Sequence, residues 1–305
     1  MTGNTAASVR GRLTNRAKAG QRPFQEVLQH YALERLLYRL AQSPHRGRFL
    51  LKGALLLNAW HAPVSRPTRD IDLLGYAEND VAVIEAMFRE VCELSVVDDG
   101  LRFDASTLVG SRIKEDADYQ GVRLTFVAFL EKARVAMQID IGFGDVVNPG
   151  AEERDYPTLL DFPAPHLRMY PRETVIAEKF EALVNLGTLN TRMKDFFDIW
   201  LLASQYDFSG PALALAIAKT FENRGTKLDA NPIALTPTFT AAEGTQKQWA
   251  AFVKRSQLSN APKTLDEARD PLRRFLLPVV AAIIASQTFN LSWAAPGPWQ
   301  EAATQ

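Results

Sequence analysis

The stretch that decides the fold is RPTRDIDLLGY, residues 66–76, because it combines a strand pattern with two acids. Its apolar residues predict a β-strand, an element in which aspartate is normally depleted. Side chains two positions apart leave a strand on the same face, so Asp70 and Asp72 lie side by side. Neighbouring carboxylates repel each other. The pattern therefore predicts that a bound cation stabilises this pair.

The two acids fit a magnesium site. Mg²⁺ prefers oxygen ligands and is commonly held by one or two carboxylates together with the phosphates of a substrate. A third carboxylate usually comes from a neighbouring strand, and the candidate is Asp140 in MQIDIGF. An acid in so apolar a strand has to be neutralised, paired or metal-bound. We expect Asp70, Asp72 and Asp140 to be metal ligands for Mg²⁺, with two ions activating the attacking oxygen and stabilising the leaving one.

The segment upstream, LLKGALLL at residues 50–57, predicts a strand that ends at Lys52 and Gly53 and then opens into a helix. Such a turn can offer backbone N–H groups to an anion. Glycine also lets the backbone approach a phosphate closely. The Asp-x-Asp pair begins 17 residues after this glycine. The combination favours a site for the phosphates of a nucleotide.

Composition narrows the class of protein. The chain has 305 residues, of which 47% are hydrophobic and 23% charged, as expected of a protein with a packed core. A single cysteine, Cys92, excludes a disulfide framework and favours the cytoplasm. The N-terminus has no apolar segment typical of a secretory signal. The longest apolar run, residues 275–285, contains a proline and is too short to span a bilayer, so we expect no membrane segment.

Charge is balanced overall but not along the chain. The formal net charge is zero, which gives no general indication of a nucleic-acid partner. Residues 1–25 nevertheless contain no acid and five bases, namely Arg10, Arg12, Arg16, Lys18 and Arg22. This segment is either a solvated arm or a surface that meets the phosphates of RNA.

The order of predicted elements gives the fold class. Helical periodicity predicts helices over residues 20–43 and 78–94, and alternation predicts strands over residues 101–113, 119–130 and 134–145. Together with the strands around Lys52 and Asp72, this order predicts a mixed sheet with helices against it.

A proline-rich connection then leads into a region that is helical almost throughout. We therefore predict an α/β (α+β) lobe with a mixed sheet over residues 1–165, with an N-terminal helical arm, and an α-helical lobe over residues 166–305. The last ten residues, PGPWQEAATQ, are expected to be a frayed tail.

The motifs together resemble a known family. Gly53-Ala54, Asp70-Ile71-Asp72-Leu73 and Asp140 are similar to the signature of polymerase-β-type nucleotidyltransferases. KGALLL, RPTRDIDL, ETVIAEKFEAL and RMKDFFDIW, in this order between residues 24 and 205, resemble the AbiEii/AbiGii toxin family, which includes the MenT toxins. The resemblance implies a nucleotidyltransferase-type mixed sheet for the α/β lobe. It also implies an NTP-dependent toxin of a toxin–antitoxin system, with a cognate antitoxin as partner. It also implies transfer of a nucleoside monophosphate to the 3′ end of tRNA, which would block translation.

The resemblance also implies roles for single residues. Asp70 and Asp72 would hold the metal, and Lys52 and Gly53 would lie along the triphosphate. Thr68 matches a position that carries a hydroxyl in relatives and can be modified there to silence the toxin.

In the helical lobe, Lys179 would reach the nucleotide phosphates, and Asp195 matches an acid of the last motif, with Asp198 one turn away. The acceptor hydroxyl would be oriented or deprotonated by Asp140 or Asp195. The active site is expected in a cleft between the lobes.

One departure from the family concerns the first motif, which usually reads Lys-Gly-Gly-Ser/Thr. This chain has Lys52-Gly53-Ala54-Leu55, so the second glycine and the hydroxyl are both missing. The change could weaken nucleotide binding or alter the preferred nucleotide.

Simpler structural interpretations remain for each residue. Asp70 and Asp72 could belong to an exposed edge strand, with Arg66 and Arg69 as partners. Asp140 could cap a turn near Gly142.

In the helical lobe, Lys179 could be a surface lysine paired with Glu178 or Glu181, and Asp195 and Asp198 could lie on a solvated helix face. Two other functions also stay open. One is a nucleotidyltransferase acting on a protein or small molecule, and the other is a catalytically weak nucleotide-binding regulator.

Overall fold

The computed structural model describes residues 5–62, 68–116 and 119–301. By compactness the chain divides into two units. The first comprises the described residues up to Gly144 together with Glu152–Met169, and the second comprises Asp145–Ala151 together with the described residues from Tyr170 onward. The chain thus passes into the second unit at residue 145, returns to the first, and leaves it at residue 170, whereas we predicted a single boundary near residue 165.

The first unit contains four helices and seven strands among the described residues. They are α1 (Thr5–Ala19), α2 (Phe24–Gln42), β1 (Phe49–Lys52), α3 (Leu55–Ala59), β2 (Ile71–Gly75), α4 (Val81–Glu93), β3 (Leu101–Asp116), β4 (Tyr119–Leu130), β5 (Ala133–Phe143), β6 (Glu152–Asp155) and β7 (His166–Met169). The strands form one sheet in the order β3-β4-β5-β2-β1-β7-β6. β2 runs parallel to β5 and antiparallel to β1, so the predicted mixed sheet is confirmed.

The N-terminal segment is a helix that packs rather than a solvated arm. Val9, Leu13 and Ala17 recur every four residues along α1 and are buried, while most of its basic side chains face outward. This apolar stripe gives α1 a face to pack against α2.

A larger part of the surface of α2 is buried than its amphipathic sequence predicts, because α1 packs against it. Its charged residues Arg35 and Arg39 are buried because both pair with Asp99, Arg39 through two hydrogen bonds of 2.6 and 3.0 Å.

The second unit is mainly helical. Its elements within the described part of the chain are α5 (Arg172–Leu186), α6 (Met193–Gln205), β8 (Phe208–Ser209), α7 (Gly210–Arg224), α8 (Pro237–Thr240), α9 (Glu243–Ser256), α10 (Leu265–Ile284), β9 (Leu291–Trp293) and β10 (Trp299–Glu301). Phe196 and Phe197 of α6 are fully buried, as the periodicity of that helix indicates.

The expectation of a frayed C-terminus is wrong for residues 299–301. These residues form β10, which pairs with β9. Trp299 stacks on Phe275 of α10 at 5.7 Å between ring centroids, and its Nε1 donates to the Phe275 carbonyl at 2.9 Å. The aromatic contact outweighs the turn-forming prolines before it. Residues 302–305 lie outside the described part.

Candidate active site

The sheet register places the predicted acids opposite each other. Asp72 of β2 pairs with Asp140 on the parallel strand β5 and with Lys52 on the antiparallel strand β1. Directly opposed residues project from the same face of a sheet. The register therefore forms a row across the middle of the sheet that contains two acids and a lysine.

Asp70 lies immediately before β2 and completes an acidic cluster. Carboxylate oxygens of Asp70, Asp72 and Asp140 all lie within 4.8 Å of one another. The first two residues are partly exposed and Asp140 is buried. β2 has a strand on either side, so the interpretation of these acids as an edge-strand feature is wrong. Arg66, which that interpretation gave as a partner of the two acids, lies outside the described residues.

Two hydrogen bonds fix the segment that leads into Asp70. Gln29 of α2 is buried, and its Nε2 donates to the carbonyls of Arg69 at 3.2 Å and Ala136 at 3.0 Å. One side chain thus joins the start of β2 to β5. The Thr68 hydroxyl donates to the Asp70 carboxylate. Thr68 therefore contacts a candidate metal ligand directly.

Arg123 is the residue of this site that the sequence analysis missed. It lies on β4 directly opposite Asp140, and its Nε and Nη2 each donate to one carboxylate oxygen at 2.7 Å. Gln138 adds a third hydrogen bond at 3.1 Å. These contacts raise the pKa of Arg123, mainly through the hydrogen bond to Asp140, with the charges of Asp70 and Asp72 contributing. Asp140 is thus paired inside a strand, and its interpretation as a turn cap is wrong.

Gly53 is required by its close approach to Asp72. Its φ is +73°, a conformation that L side chains rarely adopt. A Cβ at this position would stand 1.9 Å from Asp72 Oδ2. The turn after β1 therefore packs its backbone against one of the acids, which is possible only for glycine.

The departure at Ala54 and Leu55 has a structural basis. Ala54 has φ −68° and ψ −27°, so its backbone needs no second glycine. Leu55 begins α3 and is buried, which replaces the family's hydroxyl with a core contact. α3 has only five residues. A helix dipole of this length is small, so phosphate binding at this turn would depend on Lys52 and Gly53.

The second unit holds a separate ionic cluster. Lys179 of α5 donates to Asp195 at 2.9 Å and lies 2.7 Å from Asp198, both on α6. Arg192 Nε lies 2.6 Å from the other oxygen of Asp195. Burial raises the pKa of Asp195, but the charges of Lys179 and Arg192 outweigh it and bring this pKa below its usual value.

Both structural alternatives for these residues are therefore wrong. The Lys179 side chain is only 13% exposed and contacts the two aspartates, so Lys179 is not a surface lysine. Asp195 and Asp198 are 0% and 1% exposed, so they do not lie on a solvated face. Glu181 pairs instead with Arg224 and Thr226.

No described helix combines the length and the apolar composition that crossing a membrane requires.

Comparison with known proteins gives one family. The profile of the family described as "Nucleotidyl transferase AbiEii toxin, Type IV TA system" matches residues 35–271. No curated protein matches the chain.

Two solved structures from Helicobacter pylori are similar in outline. The structure of JHP933 is 15% identical in sequence with a TM-score of 0.43, and the match covers 83% of this chain and 89% of the JHP933 chain. A proposed nucleotidyltransferase is 18% identical with a TM-score of 0.44, and covers 85% of this chain and 95% of its own.

Proposed function

Because this chain belongs to the AbiEii family of nucleotidyltransferase toxins of type IV toxin–antitoxin systems, we propose that it transfers a nucleoside monophosphate from an NTP to RNA. The acceptor we propose is the 3′ end of tRNA. Modification there would prevent aminoacylation and block translation in the cytoplasm. Membership of the family implies an antitoxin as partner, and it confirms the resemblance found in the motifs.

The observation that carries this proposal is the cluster of three acids on neighbouring strands. Its donor set consists of oxygen atoms only, within 4.8 Å of one another, and this suits a hard cation such as Mg²⁺. Asp70 and Asp72 would hold the metal, with Asp140 beside them. When bound, Mg²⁺ would neutralise charge on the triphosphate and lower the pKa of the attacking hydroxyl.

The chain's own groups would orient the reaction. The acceptor oxygen forms a bond to the α-phosphorus of the NTP, the bond from that phosphorus to the bridging oxygen breaks, and pyrophosphate leaves with that electron pair. The hydroxyl proton passes to a carboxylate, for which we propose Asp140. Arg123 holds both oxygens of Asp140, and this fixes the direction from which the carboxylate can accept a proton. Lys52 and the backbone of Gly53 would meet the phosphates.

Lys179 and Asp195 stay proposals as well. The family resemblance assigns Lys179 to the nucleotide phosphates. Within the second unit, two buried carboxylates hold its ammonium group in one place, which limits the side-chain entropy that an interaction with phosphate would cost.

The test is transfer of label. The purified protein is incubated with Mg²⁺, total tRNA and each of the four α-³²P-labelled NTPs in turn. We expect label on tRNA from the wild type, none from Asp70→Asn, and wild-type label from Asp161→Asn, an exposed aspartate with no role in the site. Label on protein or on a small molecule would overturn the tRNA assignment. No transfer by a cooperatively folded protein would overturn the activity proposed for this cluster.

A further inference from the structure

A pocket of about 200 Å³ lies within the first unit, where α1, α2 and α3 meet. We call it the helix pocket. The residues that line it and matter here are Arg16, Arg22, His30, Leu55, Asn58 and Thr68. Its volume is below the roughly 300–1,000 Å³ of pockets that enclose a whole ligand. A ligand of this pocket is therefore a small unit, such as one nucleoside of a longer molecule.

The helix pocket adjoins the acidic cluster. Thr68 lines the pocket and donates its hydroxyl hydrogen bond to Asp70. One residue therefore separates the pocket from a carboxylate of the candidate active site. A molecule seated in the pocket would therefore lie next to that site.

The charge of the helix pocket matches a single phosphodiester. Arg16 is exposed, and no carboxylate among the described residues pairs with it. Arg22 pairs with Glu26 at 2.7 Å, which cancels one positive charge. His30 is neutral near pH 7, because burial and the charge of Arg22 lower its pKa to about 4. The lining thus carries a net charge of +1, which suits the one negative charge of a phosphodiester better than the several charges of a free triphosphate.

The rest of the lining suits a base. Asn58 Nδ2 donates to the Tyr156 hydroxyl at 3.3 Å, and His30 Nε2 lies 3.1 Å from the same oxygen. This arrangement fixes the Asn58 carboxamide and leaves its oxygen to accept a hydrogen bond from a ligand. Val27, Leu33 and Leu55 supply apolar wall around it. A flat, partly polar ring fits a lining of this kind.

We propose that the helix pocket binds the terminal nucleoside of the RNA acceptor with its 5′ phosphodiester, Arg16 contacting the phosphate and Asn58 the base. This inference rests on the proposed function for the identity of the acceptor and adds the place where its end is held. It also assigns a role to one of the basic residues of the N-terminal helix.

The test measures binding separately from transfer. The probe is a 5′-fluorescein RNA tetranucleotide that ends in CCA with a free 3′ hydroxyl, and its affinity is read by fluorescence anisotropy at several salt concentrations. We expect Arg16→Ala to weaken binding about 5- to 10-fold and to lower the slope of log affinity against log salt by about 0.7, the loss of one phosphate contact on a single strand. Asn58→Leu should weaken binding without changing this slope.

The matched control is Lys18→Ala, which removes an exposed positive charge from the same last turn of α1 but outside the pocket. It should leave affinity within about twofold of the wild type. Equal effects of Arg16→Ala and Lys18→Ala would overturn the pocket and leave only a diffuse basic surface. If Arg16→Ala instead changed the dissociation constant of the NTP and left RNA binding unchanged, the pocket would be assigned to the donor nucleotide and the acceptor assignment would be overturned.

The two proposals can fail separately. Arg16-dependent binding of the tetranucleotide without any transfer to tRNA would support the pocket and count against the proposed function. Transfer to tRNA with unchanged KM for tRNA in Arg16→Ala would support the function and overturn the pocket.

Discussion

Replacing Gly53 by alanine tests whether the turn after β1 is built around Asp72. Carbon–oxygen contacts in proteins are about 3.3 Å or longer, and the added Cβ would stand 1.9 Å from Asp72 Oδ2. The carboxylate would therefore have to move by about 1.4 Å. A displacement of about 1 Å in a reacting group can cost about 100-fold in rate, so we expect transfer to fall at least about 100-fold.

The same substitution also costs stability. Alanine at φ +73° is strained by about 1–2 kcal/mol. Two other glycines separate strain from displacement. Gly225 has φ +64° but no atom within 4 Å of the position that an added Cβ would take, and Gly47 has neither a positive φ nor a neighbour at that distance. Gly225→Ala should lose the same 1–2 kcal/mol with normal activity, and Gly47→Ala should change neither quantity.

The measurements are urea unfolding for stability and initial rates of label transfer from the NTP for activity. The reasoning is refuted if Gly53→Ala keeps its activity within about threefold of Gly225→Ala while both are equally destabilised. In that case the close approach of Gly53 to Asp72 would have no part in the reaction.

Three further predictions concern ionisable groups. Arg123→Leu should lower kcat at least about 10-fold while the KM for NTP stays near the wild-type value, because Asp140 loses its orientation; Arg123→Lys should restore activity only in part, since lysine lacks the planar fork. Lys179→Met should lower the free energy of unfolding in urea by about 3 kcal/mol, because it removes the cation that lies between the buried carboxylates of Asp195 and Asp198 and leaves Asp195 with Arg192 alone. Adding Asp195→Asn should recover part of this loss, and an additive effect would contradict it. The folded-state pKa of His30, about 4, lies below the unfolded value of 6.5. The contribution of neutral His30 to stability is therefore present above pH 6.5 and is lost as the pH falls towards 4. In urea titrations at several pH values, His30→Gln should remove this acid-induced loss, and an unchanged pH profile would refute the prediction.

The acidic pair was predictable because it depends only on local geometry. The period of two along a strand puts Asp70 and Asp72 on one face, and the isoleucines around Asp140 indicate a strand for the third acid. The lysine–glycine turn was predictable for the same reason. None of these inferences needs to know which strand pairs with which.

Arg123 was not predictable, because its role depends on register. Its position on β4 is ordinary in sequence, and only the antiparallel pairing of β4 with β5 places it opposite Asp140. Asp195 and Asp198 show the same limit. Acids on a helix are usually exposed, and these are buried because Lys179, on another helix, lies against both.

The complete row across the sheet explains how Asp72 and Asp140 tolerate each other on neighbouring strands. Lys52, Asp72, Asp140 and Arg123 oppose one another in turn on β1, β2, β5 and β4. A basic residue thus ends the row on each side of the two acids, and the four formal charges cancel. Asp70 adds one negative charge next to this balanced row. A divalent cation therefore meets one net negative charge instead of three, so the cluster alone attracts it weakly. The triphosphate supplies the missing charge, and for this reason we expect metal and nucleotide to bind together.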